Sequence, residues 1–314
     1  MNLRRFGIRL GVLIGVLLAV SFLTFSMIQL LPGDPALQIL GADNATAENV
    51  AAVRAELGLD KPFLEQYGRW LGDAVTGDLG RSFQTNQPVR EAITERLPVT
   101  AEIGLLAVLI ALAFAIPLGV ASAYRAGGRF DRFLTTASFA LLSVPGFMLA
   151  LLFIWTFAVR LGWLPASGWV RLTQNPWENL RTAILPAMSL AIAEMAVYTR
   201  LLRSDMVQTL QEDFLLFAKA KGLPSMHILF RHALRPSSLS LMTVIGLQLA
   251  GLLGGAVIVE SIFALPGVGR LLVDAIYRRD ILVVQGVVLV LSASFVIVNF
   301  LIDLVYTIVD PRIR

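Results

Sequence analysis

Six apolar runs, parted by polar stretches, organise the chain. They cover residues 10–31, 103–123, 133–159, 183–202, 239–263 and 283–302. Each is at least about 20 residues long, the length that a hydrocarbon core about 30 Å thick demands of an α-helix. None shows the strict alternation of a barrel strand, and backbone groups inside a bilayer must be satisfied within the protein. The pattern therefore predicts an all-α integral membrane protein with about six transmembrane helices. The first run follows Arg4, Arg5 and Arg9, as the core of a signal peptide would. Its length of about 22 residues exceeds such a core, and Leu31-Pro32-Gly33-Asp34-Pro35 follows instead of a small-residue cleavage site. Residues 1–31 are read as the N-terminus and helix 1.

Residues 32–98 differ in kind. Charged residues, glycines and prolines interrupt short amphipathic stretches at 47–57 and 62–71, which predicts a small folded extramembrane insertion between helices 1 and 2. Two roles fit it, receiving cargo or bracing the two helices. Residues 99–314 hold helices 2 to 6. Lys and Arg at the ends of short segments set orientation. The N-terminus, the connection after helix 2, the segment after helix 4 and the C-terminal tail carry about twice as many as the opposite connections. Both termini are thus expected in the cytoplasm, with the insertion outside.

Composition narrows the chemistry. The chain is 56% apolar and only 15% charged, with a net charge of +4. Its bases are scattered beside the apolar runs, which suits membrane orientation and lipid contact and argues against nucleic acid. There is no cysteine, hence no disulfide and no thiolate site, and two histidines, His227 and His232, are too few for a metal cage. No G-x-x-x-x-G-K-[ST], G-x-S-x-G or H-E-x-x-H occurs. The chain is therefore not expected to be an enzyme. If ATP drives it, another chain binds the nucleotide.

Charge inside a span is costly and so often functional. Glu194 in helix 4 is the deepest candidate, with Glu102 and Asp303 nearer span ends. Glu194 could line a translocation path or carry a proton; facing a watery cavity or a neighbouring subunit is the other reading. Arg200 and Arg203 read as snorkelling to lipid phosphates. Pro117, Pro145 and Pro186 are compatible with kinks, and Pro266, Gly267 and Gly269 with a turn or short re-entrant element. Gly251 and Gly255 make a small-xxx-small pair that would admit a neighbouring helix.

The segment between helices 4 and 5 is the most informative. Leu210, Phe214, Phe217 and Ala218 fall along one face of a short helix within about 205–222, and Gly222-Leu223-Pro224 is a helix stop. An apolar ridge facing the cytoplasm needs a cover, either lipid headgroups or a groove on a partner.

Here the sequence resembles the inner-membrane permeases of binding-protein-dependent ABC importers, in the branch that handles oligopeptides, dipeptides and nickel. That superfamily carries E-A-A-x-x-x-G followed by I-x-L-P. Ala218, Gly222 and Leu234 match it, while Leu216, Phe217 and His232 depart from it. The form Ala218-Lys219-Ala220-Lys221-Gly222-Leu223 with Arg231-His232-Ala233-Leu234-Arg235 looks like the branch variant. So do Pro32-Gly33-Asp34-Pro35-Ala36, Leu57-Gly58-Leu59-Asp60, Gly77-Asp78-Leu79-Gly80, Arg96-Leu97-Pro98, Phe263-Ala264-Leu265-Pro266-Gly267 and Asp310-Pro311-Arg312-Ile313-Arg314.

The resemblance implies a heterodimer with a homologous permease, two ATPase subunits that hold ATP and Mg, and an extracytoplasmic solute-binding protein, in the inner membrane of a prokaryote. It implies no cofactor on this chain. It makes the segment ending at Gly222 the coupling helix, with Phe214, Phe217 and Ala218 as buried contacts and Lys219 and Lys221 at the rim. Transport would proceed by alternating access. Peptides are the expected cargo, with nickel, glutathione or another small solute as the variant, and an ion-coupled carrier as the reading from a different class.

Overall fold

A computed structural model describes residues 3–30, 36–37, 46–58 and 60–309. The motifs at 32–35 and 310–314 and the side chain of Asp303 lie outside the described residues. The helices are α1 Leu3–Leu30, α2 Ala47–Leu57, α3 Phe63–Thr76, α4 Val89–Tyr124, α5 Arg129–Leu142 and α6 Gly146–Phe153, the last continued by a π-helical stretch Ile154–Arg160. They are followed by α7 Pro176–Thr209, α8 Asp213–Ala220, and α9 Ser225–His227 with its π-turn Ile228–Ala233. The last three are α10 Leu234–Ile262, α11 Val268–Tyr277 and α12 Ile281–Val309. Among the described residues there is no β-strand, only an isolated bridge between Arg81 and Pro88.

Helices α4, α7 and the Ile281–Ile302 part of α12 are long and apolar enough to cross a bilayer unbroken. Two other runs are bent. The stretch expected as one span at 133–159 is two helices at 97°. Pro145 has no N–H to continue α5 and disfavours helical geometry at Val144, while the Ser143 hydroxyl caps back onto the Phe139 carbonyl at 2.9 Å. The run expected at 239–263 begins earlier, at Ser225, and bends by 60° between Leu249 and Gly254. In α1 the apolar stretch is Gly11–Ser26.

The boundary drawn at 98/99 falls inside α4, which starts at Val89 and carries Pro98 in its interior. The helix is already formed before that change in composition, and Val89 and Ile93 are already buried in an apolar cluster. The inserted segment is thus shorter, and it is tied to the bundle at two places. Rings of α3 pack on Phe22 and Phe25 of α1. Beyond them, Ser82 donates a short hydrogen bond to Asp280, just before α12.

The centre of the bundle is the α4–α7 pair. Ala107, Ala111 and Ala115 on α4 and Ala187 and Ala191 on α7 are all buried in one cluster. Small residues four apart let two helix backbones approach closely, which is how membrane helices gain packing without a hydrophobic driving force. Of the expected glycine pair in α10, a Cβ at Gly255 would reach ordinary contact with Leu190 of α7, while Gly251 has open space around it. α7 starts cleanly because Asn175 accepts from the Trp177 and Glu178 amides and Pro176, having no N–H, needs no acceptor.

Candidate functional site

The short helix expected between helices 4 and 5 is α8, and its ridge differs in detail from the sequence reading. Leu210 caps α7 and does not lie on α8. Phe214 and Phe217 are 50% and 70% exposed. Leu216, Lys219 and Lys221 are exposed beside them. Ala218, expected as a docking contact, is instead turned inward with Leu215. Both join the buried cluster of Leu202, Met206, Ile228 and Leu229. The reason is register: Leu215 and Ala218 are three apart and seat α8 on the end of α7 and on the π-turn, which leaves the two phenylalanines free to face outward.

Gly222 closes α8. Its φ is 77°, its N–H donates to the Lys219 carbonyl at 2.9 Å, and the Leu223 N–H donates to the Ala218 carbonyl at 3.3 Å. These two bonds make a Schellman motif, and a left-handed residue at that point is what it needs. A Cβ there would meet open space, so backbone conformation alone calls for glycine.

The platform under α8 is clamped by charge. Arg203 of α7 donates from Nε and Nη2 to the two carboxylate oxygens of Asp131 at 2.8 and 2.7 Å. Ser122 and the Gly127 amide donate to the same carboxylate at 2.6 and 2.8 Å. The Arg200 guanidinium lies 4.1 Å from the centre of the Phe139 ring. Both arginines, read from sequence as snorkelling, are therefore engaged within the chain, which fastens α5 to α7. His227 and His232 lie edge to face, 5.2 Å apart, across the π-turn. Among the described residues no cluster of three or more metal-ligating side chains occurs.

Glu194 is buried on α7 in the seam against α10. Tyr198, one turn along, and Gln248 of α10 face its carboxyl group. Neither Glu194 Oε2 nor the Tyr198 hydroxyl closes a well-aligned hydrogen bond among the described residues. Glu102 is half-buried on α4.

The other end of the bundle, about 30 Å along α4 from the Ser122–Asp131 contact, holds a second polar centre. Glu260 of α10 is 0% exposed. Thr100 of α4 donates to its Oε1 at 2.6 Å, and the Arg270 amide donates to its Oε2 at 2.9 Å. The Gly269 amide also faces it. The Thr100 hydroxyl in turn accepts from the Val268 amide at 2.9 Å. One carboxylate thus gathers the unpaired amides at the start of α11, which a helix N-terminus leaves without intrahelical partners. The sequence Pro266-Gly267-Val268-Gly269 suits this wrapping, since a Cβ at Gly267 would overlap the carboxylate.

Comparison with known proteins then settles the lineage. Residues 115–314 match the family described as binding-protein-dependent transport system inner membrane component, and residues 3–104 match the N-terminal part of such components. The chain belongs to this permease family. It is 45% identical over 306 residues to a candidate peptide transport system permease of Brucella abortus, covering 98% of this chain and 97% of that one. It is 37% identical to the dipeptide transport system permease DppB of Alkalihalophilus pseudofirmus, with 98% of each chain covered. Against DppB of Escherichia coli it is 38% identical, with 98% and 97% covered. In fold it resembles a chain of the inward-facing MetNI methionine ABC transporter, with a TM-score of 0.58 and 16% identity over 69% of this chain and 95% of that one.

In this family member, sequence reasoning missed Glu260 and Asp131. Both stand close to span ends, where a carboxylate draws little notice. Glu260 had a signal: it stands seven residues before Gly267 and nine before Gly269, in front of the one Pro-Gly turn that breaks the apolar pattern there.

Proposed function

We propose that this chain is the permease subunit of an ATP-binding-cassette importer that passes peptides, dipeptides or oligopeptides, across the inner membrane of a prokaryote. In this reading it crosses the membrane six times with both termini in the cytoplasm. It pairs with a homologous second permease, rests on two ATPase subunits that hold ATP and Mg, and takes cargo from an extracytoplasmic solute-binding protein. The chain carries no phosphate-binding loop of its own, so hydrolysis belongs to the ATPases.

The observation that carries the proposal is α8. Two exposed phenylalanines stand on a short helix whose other face is locked into the bundle, with a glycine-closed exit. Such a ridge suits a partner groove, and a push on it is transmitted to α7 through Leu215 and Ala218. Lys219 and Lys221 flank the ridge and steer an acidic rim. Glu194 is the proposed cargo-facing group if the α7–α10 seam opens in the transport cycle.

Co-purification of the tagged chain from native membranes tests this. ATPase subunits should accompany the wild type and be lost with Phe217→Asp or Gly222→Arg, while the second permease stays. Absence of any ATPase from folded wild type in mild detergents would overturn the proposal.

A further inference from the structure

At about 100° per residue, the apolar residues of α3 fill one continuous arc. Phe63, Tyr67, Trp70 and Ala74 make one half, Leu64, Leu71 and Val75 the other, and Glu65, Arg69 and Asp73 lie opposite. The first half is used against α1. Phe22 stacks edge-on to Phe63 at 5.6 Å, Phe25 meets Trp70 at 5.5 Å, and the Tyr67 hydroxyl is 2.8 Å from Ser21 Oγ. The second half is largely bare: Leu64 is 72% and Val75 80% exposed, with Leu71 between them half-buried.

We infer that this bare half is a membrane-contact surface, with α3 lying flat in the outer interface of the bilayer, its Leu64–Val75 ridge in lipid and its charged arc in water. The occupant follows from where α3 is docked. α1 leaves Val12, Ile14 and Leu23 exposed along its apolar stretch, a surface that hydrocarbon covers in a membrane-spanning helix. The helix that carries the α3 ridge is docked at the far end of that surface, on Ser21, Phe22 and Phe25. The apolar stretch of α1, Gly11–Ser26, runs about 24 Å at about 1.5 Å per residue and closes at Ser26. Phe22 and Phe25 thus stand at the boundary where amphipathic helices settle with their apolar side a few ångström into the acyl region. A soluble partner would have to reach acyl-chain level to cover the ridge. On the opposite side Glu65 is paired with Lys61 at 2.7 Å and with Arg69 at 3.4 Å, as suits a water-facing side. The consequence is mechanical: the inserted segment is held at a fixed height over the membrane and does not swing freely above it.

The chain has no cysteine, so single nitroxide labels can be placed without interference from its own thiols. Leu64→Cys, Val75→Cys and Asp73→Cys are made in the full-length chain, labelled, and reconstituted in phosphatidylethanolamine–phosphatidylglycerol vesicles, with unchanged far-UV ellipticity as the check on folding. Collisions with oxygen report lipid, and collisions with a water-soluble nickel chelate report water. The oxygen-to-nickel ratio at 64 and 75 should exceed that at 73 by about tenfold, as an interfacial helix with one face in lipid requires. A water-like ratio at all three positions would overturn the inference, and so would labels at 64 and 75 shielded from both agents, which would mean that protein covers the ridge.

Discussion

The hydroxyl of Thr100 and the carboxylate of Glu260 are 2.6 Å apart although 160 residues separate them along the chain. The same hydroxyl accepts from Val268, so one threonine joins α4, α10 and α11. Thr100→Val keeps the shape and removes both bonds, leaving a buried carboxylate and a buried amide short of a partner, at a cost of about 1–3 kcal/mol. Hydrogen exchange at Val268, Gly269 and Arg270 should accelerate in Thr100→Val and in Glu260→Gln, and stay slow in Thr100→Ser. Equal protection in all four proteins would contradict the clamp.

Gly222 is needed for its φ of 77°, not for space. Gly222→Ala should therefore destabilise the end of α8 by about 1–2 kcal/mol, the penalty of left-handed geometry for a residue with a Cβ. Gly222→Asn, which visits that geometry more readily, should cost less. In a reconstituted complex, solute imported per ATP hydrolysed should fall in the order wild type, Asn, Ala. Indifference to the substituent would remove the conformational argument.

The two faces of α8 should respond oppositely to an acid. Phe217→Asp alters an exposed ring and should leave the thermal midpoint of the purified chain unchanged while abolishing ATPase co-purification. Leu215→Asp puts a charge among Leu202, Met206 and Ile228 and should lower the midpoint sharply, because an unpaired buried charge costs several kcal/mol. If both behaved alike, the division of α8 into a seated and a docking face would be wrong.

The Asp131–Arg203 pair should be sensitive to geometry as well as charge. Asp131 is buried and bound through both oxygens, so Asp131→Asn leaves Arg203 without its fork and should cost on the order of 3 kcal/mol. Arg203→Lys keeps the charge but cannot make two parallel bonds, and should recover only part of the loss in a thermal melt.

Much of the fold was legible in advance because the bilayer imposes so simple a rule on sequence. Apolar runs gave the approximate positions of the membrane helices, and the Gly222 stop gave the end of α8. The bends were not legible: of Pro117, Pro145 and Pro186, only Pro145 opens a sharp angle, while the other two are carried inside unbroken helices. A membrane helix keeps a proline when neighbours satisfy the freed carbonyl, and neighbours are not visible in one segment. The alanine stripes at 107, 111, 115 and at 187, 191 passed unnoticed for a similar reason, since alanine is common in any helix and gains meaning only opposite another stripe.

By itself the sequence determined the class of molecule, the family resemblance and the place of the short helix that ends before Gly222, because chain length per span, residue period and helix stops are local properties. Tertiary structure decided which side chains were partners: Thr100 with Glu260, Asp131 with Arg203, Ser82 with Asp280. It also decided which half of α8 and which half of α3 stayed bare. Those choices depend on helices brought together from distant parts of the chain, where a buried carboxylate must find its donors and an apolar face is either covered or left for another surface.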